Sequence, residues 1–231
     1  MTIIPIIPIT PHYSTPTRSL ANPQLEKPSI QDTIRHLGLT PHVEGGYFSE
    51  TDRDVRRILR KNDGQYDHAD TSPSAADKSL PHRSLSTNIF YLLTPMTPLG
   101  AFHSNRSRTI HTLHRGRGVY VVLKSGGGRE VQVEVETFVV GHDVARGEKL
   151  QWIVEGGDYK ATFLIPDRDG KGESESKSDG LLISETVIPG FEYDDHDFLK
   201  REDLQAMVGA KEFEQLQWLL RENYTQGSDF P

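Results

Sequence analysis

The 231-residue chain contains no cysteine and carries a net charge of −7. This excludes disulfides, zinc–thiolate centres and cysteine nucleophiles, and argues against nucleic acid, whose phosphates need a basic face. Hydrophobic residues make up 35% of the chain and mean hydropathy is −0.55, low for one compact domain of this length, so part of the sequence is expected outside the core.

No apolar run is long enough to span a membrane. The opening MTIIPIIPITP has no basic flank and is interrupted by Pro5, Pro8 and Pro11, which reads as an extended tail and not as a leader. Residues 1–28 as a whole are proline-rich without periodicity and are expected to form a disordered arm. Ser29 is placed to cap a short helix with Ile30, Ile34 and Leu37 on one face and Gly38 as its stop. Pro41–Thr51 (PHVEGGYFSET) reads as a turn followed by a strand, and the basic run Arg53–Arg60 as a solvated face. Residues 61–84 and 168–180 are polar and aperiodic, the signature of disordered surface insertions.

Strand-like runs lie at Ser86–Leu93, Gly100–Asn105, Thr109–His114, Gly118–Lys124, Glu130–Val140, Lys149–Glu155, Tyr159–Ile165 and Leu181–Ile188. Gly, Pro or Asp marks nearly every junction. Such spacing without intervening helices predicts an all-β sandwich or barrel with hairpin connections, Gly126–Gly128 forming one of the turns. Closing helices are expected at Glu202–Val208 and Glu212–Glu222, the second packing Phe213, Leu216, Leu219 and Leu220 against the β wall. The sequence holds no phosphate-binding loop, dinucleotide fingerprint, nucleophile elbow or metalloprotease motif.

The chemistry concentrates in Leu99–Gly118 (LGAFHSNRSRTIHTLHRGRG). Strand alternation sets Ala101, His103 and Asn105 on one face, and Thr109, His111 and Leu113 on one face of the next strand; His114 has the opposite parity. A histidine titrating near neutrality is a general base for a proton beside a carbonyl. His103 and His111 are therefore the candidates, a hydrogen-bonded core group being the alternative for each. Glu44 stands beside Gly45 and Gly46, which suit a tight bend, and either orients a histidine, contacts ligand or caps the turn. Gln151 interrupts an apolar strand, where it binds ligand or satisfies backbone. Tyr159 and Lys160 follow the Glu155–Gly157 turn, and either is placed to donate to a ligand oxygen. Glu185 reads as a buried carboxylate in need of a partner. Phe191 and Tyr193 wall the pocket or pack the core, and His12, His68 and His82 are given no role.

The blocks PHVEGGYFSET, STNIFYLLTP, FHSNRSRTIHTLHRGRG, GEKLQWIVEGGDYKATFL and ETVIPGFEYDD follow one another over residues 30–199. In this order they resemble the DUF985 (cupin-5) family, in particular its fungal branch. The resemblance implies a cupin, a double-stranded β-helix jelly roll. It would span residues 29–200, between the arm of 1–28 and a C-terminal helical extension of 201–231, and form a homodimer. It also implies a functional place for His42 and Glu44 at the barrel mouth. In the general cupin pattern the first motif holds two histidines, a glutamate and a closing glycine. Here His103 lies in the histidine region, Gly116 matches the glycine, and Thr109 stands at the glutamate position. Lys160 stands at the histidine position of the second motif. With two ligands replaced, one by an ammonium, no resident metal is expected.

The expectation is a small-molecule enzyme of isomerase or epimerase type, acting without a cofactor on a polar carbonyl or sugar-like ligand. His103 or His111 is the base, and Tyr159 or Lys160 steadies an enolate. His42, Glu44, Asn105, Gln151, Lys160 and Glu185 contact the ligand. One alternative is a non-catalytic, storage-like binder of a small ligand. Another is a metal-dependent oxygenase or decarboxylase using His103, His111 and Glu44. The expected partners are the small molecule and a second copy of the chain, with neither nucleic acid nor membrane. The cysteine-free composition fits a reducing, cytoplasmic setting.

Overall fold

The computed structural model describes residues 9–13, 22–60, 66–67, 82–124, 133–168, 175–176 and 178–221. Helix α1 (Pro28–His36) is followed by β1 (Thr40–Pro41), β2 (Tyr47–Arg53), β3 (Arg57–Arg60), β4 (Tyr66–Asp67), β5 (His82–Ser84), β6 (Thr87–Leu93), β7 (Leu99–Ser104) and β8 (Arg108–Arg115). Next come β9 (Gly118–Lys124), β10 (Glu134–Val140), β11 (Gln151–Val154), β12 (Tyr159–Leu164), β13 (Asp167–Arg168), β14 (Glu175–Ser176), β15 (Leu181–Ile188) and β16 (Asp197–Phe198). Helices α2 (Arg201–Met207) and α3 (Ala210–Leu216) come last.

Two antiparallel sheets face each other, with strand orders β1-β2-β6-β15-β8-β11 and β10-β9-β12-β7-β16. From β6 to β16 the chain passes repeatedly from one of these two sheets to the other, and within them β9 and β10 are the consecutive strands that pair as a hairpin. This is the all-β jelly roll. It departs from the expected run of hairpins because most main strands are apolar on both faces. β9 is an example: Tyr120 and Val122 point between the sheets, while Val119, Val121 and Leu123 point away and need a second cover.

Three apolar clusters result. The first lies between the sheets and includes Tyr91, Leu113, Tyr120, Phe138, Trp152 and Ile183. The second lies behind the five-stranded sheet, where Phe102, Val121 and Phe163 meet Leu204, Phe213 and Leu216 of the closing helices. The third places Ile30 and Ile34 of α1 on Tyr47, Leu92 and Leu182 of the six-stranded sheet.

Several local expectations are corrected. Lys27 is the N-terminal flank of α1 and Pro28 its first residue; Ser29 lies inside, its Oγ 2.9 Å from Asp179 Oδ1. The last helix stops at Leu216 and continues as a 3-10 turn over Gln217–Leu219, although its apolar stripe is buried as expected. The arm is docked where it is described. Glu26 is buried and accepts from Tyr47 Oη at 3.2 Å and Thr94 Oγ1 at 2.6 Å, and the Ile9 carbonyl accepts from Trp218 Nε1 at 3.3 Å. The insertion read over 61–84 ends in strand β5, paired with β3 and burying Arg83 and Ser84. Tyr66–Asp67 also pairs with β3. In the second insertion Asp167–Arg168 pairs with Glu175–Ser176, and Ser178 is buried. The remainder of both insertions, residues 1–8 and 14–21 of the arm, and the Gly126–Gly128 turn lie outside the described residues.

Candidate functional site

The bend after β1 sets Glu44. Gly45 and Gly46 have φ of +111° and +68°, and a Cβ on either would run into the carbonyl oxygens of Leu99 and Leu92, respectively. Tyr91 Oη donates to the Gly45 carbonyl at 2.9 Å, and the Ala101 amide donates to the Glu44 carbonyl at 2.8 Å. The bend is thereby tied to β6 and β7, and the Glu44 carboxylate comes to rest beside His103.

His103 Nδ1 lies 2.8 Å from the Ala101 carbonyl oxygen. A carbonyl only accepts, so Nδ1 carries the proton and Nε2 is the free nitrogen of the neutral ring. That Nε2 lies 3.2 Å from Glu44 Oε1. His196 Nε2 lies 2.8 Å from the same oxygen, and its ring stacks on His103 with centroids 5.2 Å apart. On the other side His42 Nδ1 is 3.5 Å from Glu44 Oε2. Burial pushes His103 down to about 3, outweighing the pull of Glu44 in the other direction, and burial likewise lowers His42. Burial alone would raise Glu44, but His103, His42 and His196 outweigh it and hold the carboxyl below the ordinary range.

A second polar cluster spans the sandwich. Register pairs Glu185 of β15 with His111 of β8, and Lys160 reaches them from β12 in the opposite sheet. Lys160 Nζ lies 2.6 Å from Glu185 Oε2 and 2.8 Å from His111 Nε2. Burial tends to raise Glu185, yet Lys160 and His111 hold it well below the usual carboxylate range. Burial and then Lys160 push His111 down, and its ring stacks on Trp152 at 5.1 Å. A narrow cavity between the two clusters is lined by Glu44, Tyr91, His103, Tyr120, Lys160 and Glu185, with Ala161 and Thr162 completing it.

Of the residues singled out in the sequence, Glu44, His103, Lys160 and Glu185 meet in this cavity and His42 adjoins it. Four others lie outside the cavity lining. His111 is fully buried behind Lys160, its Nε2 already engaged. Tyr159 alternates with Lys160 and so faces the other way, its hydroxyl donating to Asp197 Oδ2 at 3.0 Å. Gln151 alternates with Trp152 and is exposed, with Nε2 3.4 Å from Thr112 Oγ1. Asn105 lies past the end of β7, where alternation no longer holds, and its carbonyl accepts the Gly157 amide at 2.8 Å. His114 is exposed, as its parity implies.

Sequence reasoning missed His196 and what holds it. A 3-10 turn over Tyr193–Asp195 precedes it, and β16 follows, pairing Phe198 with His103. Asp195 is buried and ion-paired with Arg83, which also donates to the Gly190 carbonyl at 3.3 Å. The block ETVIPGFEYDD stops one residue short of His196, and a histidine inside DDHD reads as surface. The metal implied by the general cupin pattern does not fit at its motif positions. Thr109 offers only a hydroxyl there, and Lys160 brings an ammonium.

Residues 31–199 match the Cupin superfamily (DUF985) family, Cupin_5. The chain is 40% identical over 201 residues to the uncharacterized protein YML079W of Saccharomyces cerevisiae, an alignment covering 85% of this chain and 89% of that protein. A hypothetical protein from Leishmania major superposes with a TM-score of 0.62 at 26% identity, over 81% of this chain and 96% of its own. Protein SO0799 from Shewanella oneidensis shares the fold with a TM-score of 0.58 at 22% identity, over 84% and 98% of the two chains. The two-sheet crossing topology, the motif blocks and these matches agree: the chain belongs to the DUF985 family of the cupin superfamily.

Proposed function

We propose that this cupin is a small-molecule enzyme of isomerase or epimerase type that shifts a proton on a polar carbonyl or sugar-like ligand. The supporting observation is that the His103 imidazole and the Lys160 ammonium line the same narrow cavity. Moving a proton beside a carbonyl needs a base within reach and positive charge where the enolate oxygen develops. Burial keeps His103 unprotonated at neutral pH; at about 3 it is a weaker base than the near-neutral histidine expected from the sequence, and Glu44 stands ready to stabilise the imidazolium that forms. Lys160, held by Glu185 and His111, supplies positive charge on the cavity wall for that oxygen. Tyr120, whose pKa burial raises well above the ordinary value, stays protonated as a further donor. His111 positions Lys160 in this scheme, and Tyr159 has no part in it. No cofactor is required.

The test is deuterium incorporation from solvent into a panel of aldoses, ketoses and small oxo acids, followed by NMR. Exchange is expected at the carbon next to the carbonyl, falling about 10²–10⁴-fold in His103→Gln and in Lys160→Met. Tight binding of a panel member with no exchange would overturn the enzyme reading in favour of the storage-like binder.

The chain is further proposed to act as a homodimer. Strand β11 ends the six-stranded sheet and presents Ile153 at 44% exposure, an open edge that a second copy would cover. Light scattering is expected to give twice the 26.0 kDa chain mass; a monomer mass would refute it.

A further inference from the structure

We propose that Glu44, His103 and His196 form a binding site for one divalent transition-metal ion, built from residues outside the glutamate and second-histidine positions of the general cupin pattern. The three come from separate parts of the fold: the glycine bend after β1, strand β7, and the segment between the Tyr193–Asp195 turn and β16.

Geometry carries the argument. One donor atom from each residue lies within 4.8 Å of the other two. Nitrogen and oxygen donors bound to one ion at about 2.0–2.2 Å stand roughly 3.0–3.4 Å from each other. The carboxylate oxygen Oε1 is 3.2 Å from His103 Nε2 and 2.8 Å from His196 Nε2, so these two edges need shifts of only a few tenths of an ångström, and the histidine–histidine edge, within 4.8 Å, closes as the rings tilt toward the ion.

The tautomer of His103 points the same way. Its Nδ1–H is spent on the Ala101 carbonyl, the kind of outer contact that orients metal-bound histidines. That leaves the Nε2 lone pair facing, at 3.2 Å, a carboxylate oxygen that accepts from His196 Nε2–H at 2.8 Å; an ion that takes the place of that proton would be bound by all three groups. A further donor waits beside them: His42 Nδ1 is buried without a hydrogen-bond partner, 3.5 Å from Glu44 Oε2.

Charge does not oppose an ion here. The Lys160 ammonium at the second-motif position is compensated by Glu185 at 2.6 Å, so its field is largely cancelled at the neighbouring cluster. Two imidazoles and one carboxylate suit iron(II), cobalt(II), nickel(II) or zinc(II), whereas magnesium and calcium prefer all-oxygen sites. The buried Arg83–Asp195 pair fixes the turn that precedes His196, which holds that ligand ready before any ion arrives.

The inference goes beyond the proton-shift reading and meets it at one atom. His103 Nε2 holds either a substrate proton or the ion, so an occupied site is expected to silence exchange. Calorimetric titration of zinc, nickel and cobalt(II) chlorides into full-length, chelator-treated protein tests the site directly. One ion per chain is expected, with affinity falling about 100-fold or more in His196→Ala and in Glu44→Gln. Removal of the exposed imidazole in His114→Ala should leave binding unchanged. The wild-type cobalt(II) complex, which requires no variant to fold, should show visible bands stronger than those of the hydrated ion. Absence of binding, unaltered affinity in both ligand variants, or a hydrated-ion spectrum would overturn the proposal. None of those results touches the metal-free deuterium exchange, and a failed exchange experiment leaves the titration standing.

Discussion

Lys160 has only 3% of its surface exposed, with its charge balanced by Glu185. Lys160→Met would leave that carboxylate buried without a counter-charge and is expected to cost about 3–5 kcal/mol in urea denaturation. Replacing both, as in Lys160→Met with Glu185→Met, should recover most of the loss, because the larger part of the penalty is the orphaned ion and not a missing attraction. His111 gives the site a pH signature. Its folded pKa lies below the ordinary 6.5, so below that pH the unfolded chain binds a proton that the folded chain refuses. Its contribution to stability is fully present above about pH 6.5 and is lost as pH falls toward the folded value. Stability should decline from about pH 7 to 5, and His111→Gln should reduce that slope by up to one proton, roughly 1.4 kcal/mol per pH unit. The same alternation that turned His103 and His111 inward also settles the two misplaced neighbours. Lys160 inward forces Tyr159 outward, and Trp152 inward forces Gln151 outward; these pairs are legible only when adjacent residues are weighed together.

Among the elements, β5 shows where sequence reading runs out. PHRS is short and polar, and nothing local marks Arg83 for burial. Its partner Asp195 lies 112 positions later, and only their meeting makes the strand part of the fold. Arg83→Met should therefore destabilise the protein by about 3 kcal/mol through the stranded Asp195, measurable by chemical denaturation. It should also weaken whatever His196 holds, although neither residue touches a ligand. The long apolar strands were legible because short apolar runs between punctuating glycines are local signals. Their sheet partners were not: a turn residue announces that the chain bends, and does not say whether the next strand pairs with the last or crosses to the facing sheet.

For the molecule as a whole, parts of the segments that the low mean hydropathy set outside the core are docked on it. The arm contributes Glu26 beneath Tyr47, and α1 and the closing helices cover outer sheet faces that a bare sandwich would leave wet. The two ends of the long insertion also lie together, since β3 and β5 pair Leu59 directly with His82. Chain inserted between Asp67 and His82 thus leaves and re-enters at neighbouring points, and doubling its length adds only about 0.6 kcal/mol of closure entropy. A foreign module placed there should leave the melting temperature nearly unchanged. The position is a natural socket for a reporter, and not a passive one: Arg83 follows His82 and grips Asp195, next to His196. Tension applied to a grafted module would travel two side chains to reach the carboxylate–histidine cluster, so strain at the surface could be read as a change in what the interior binds.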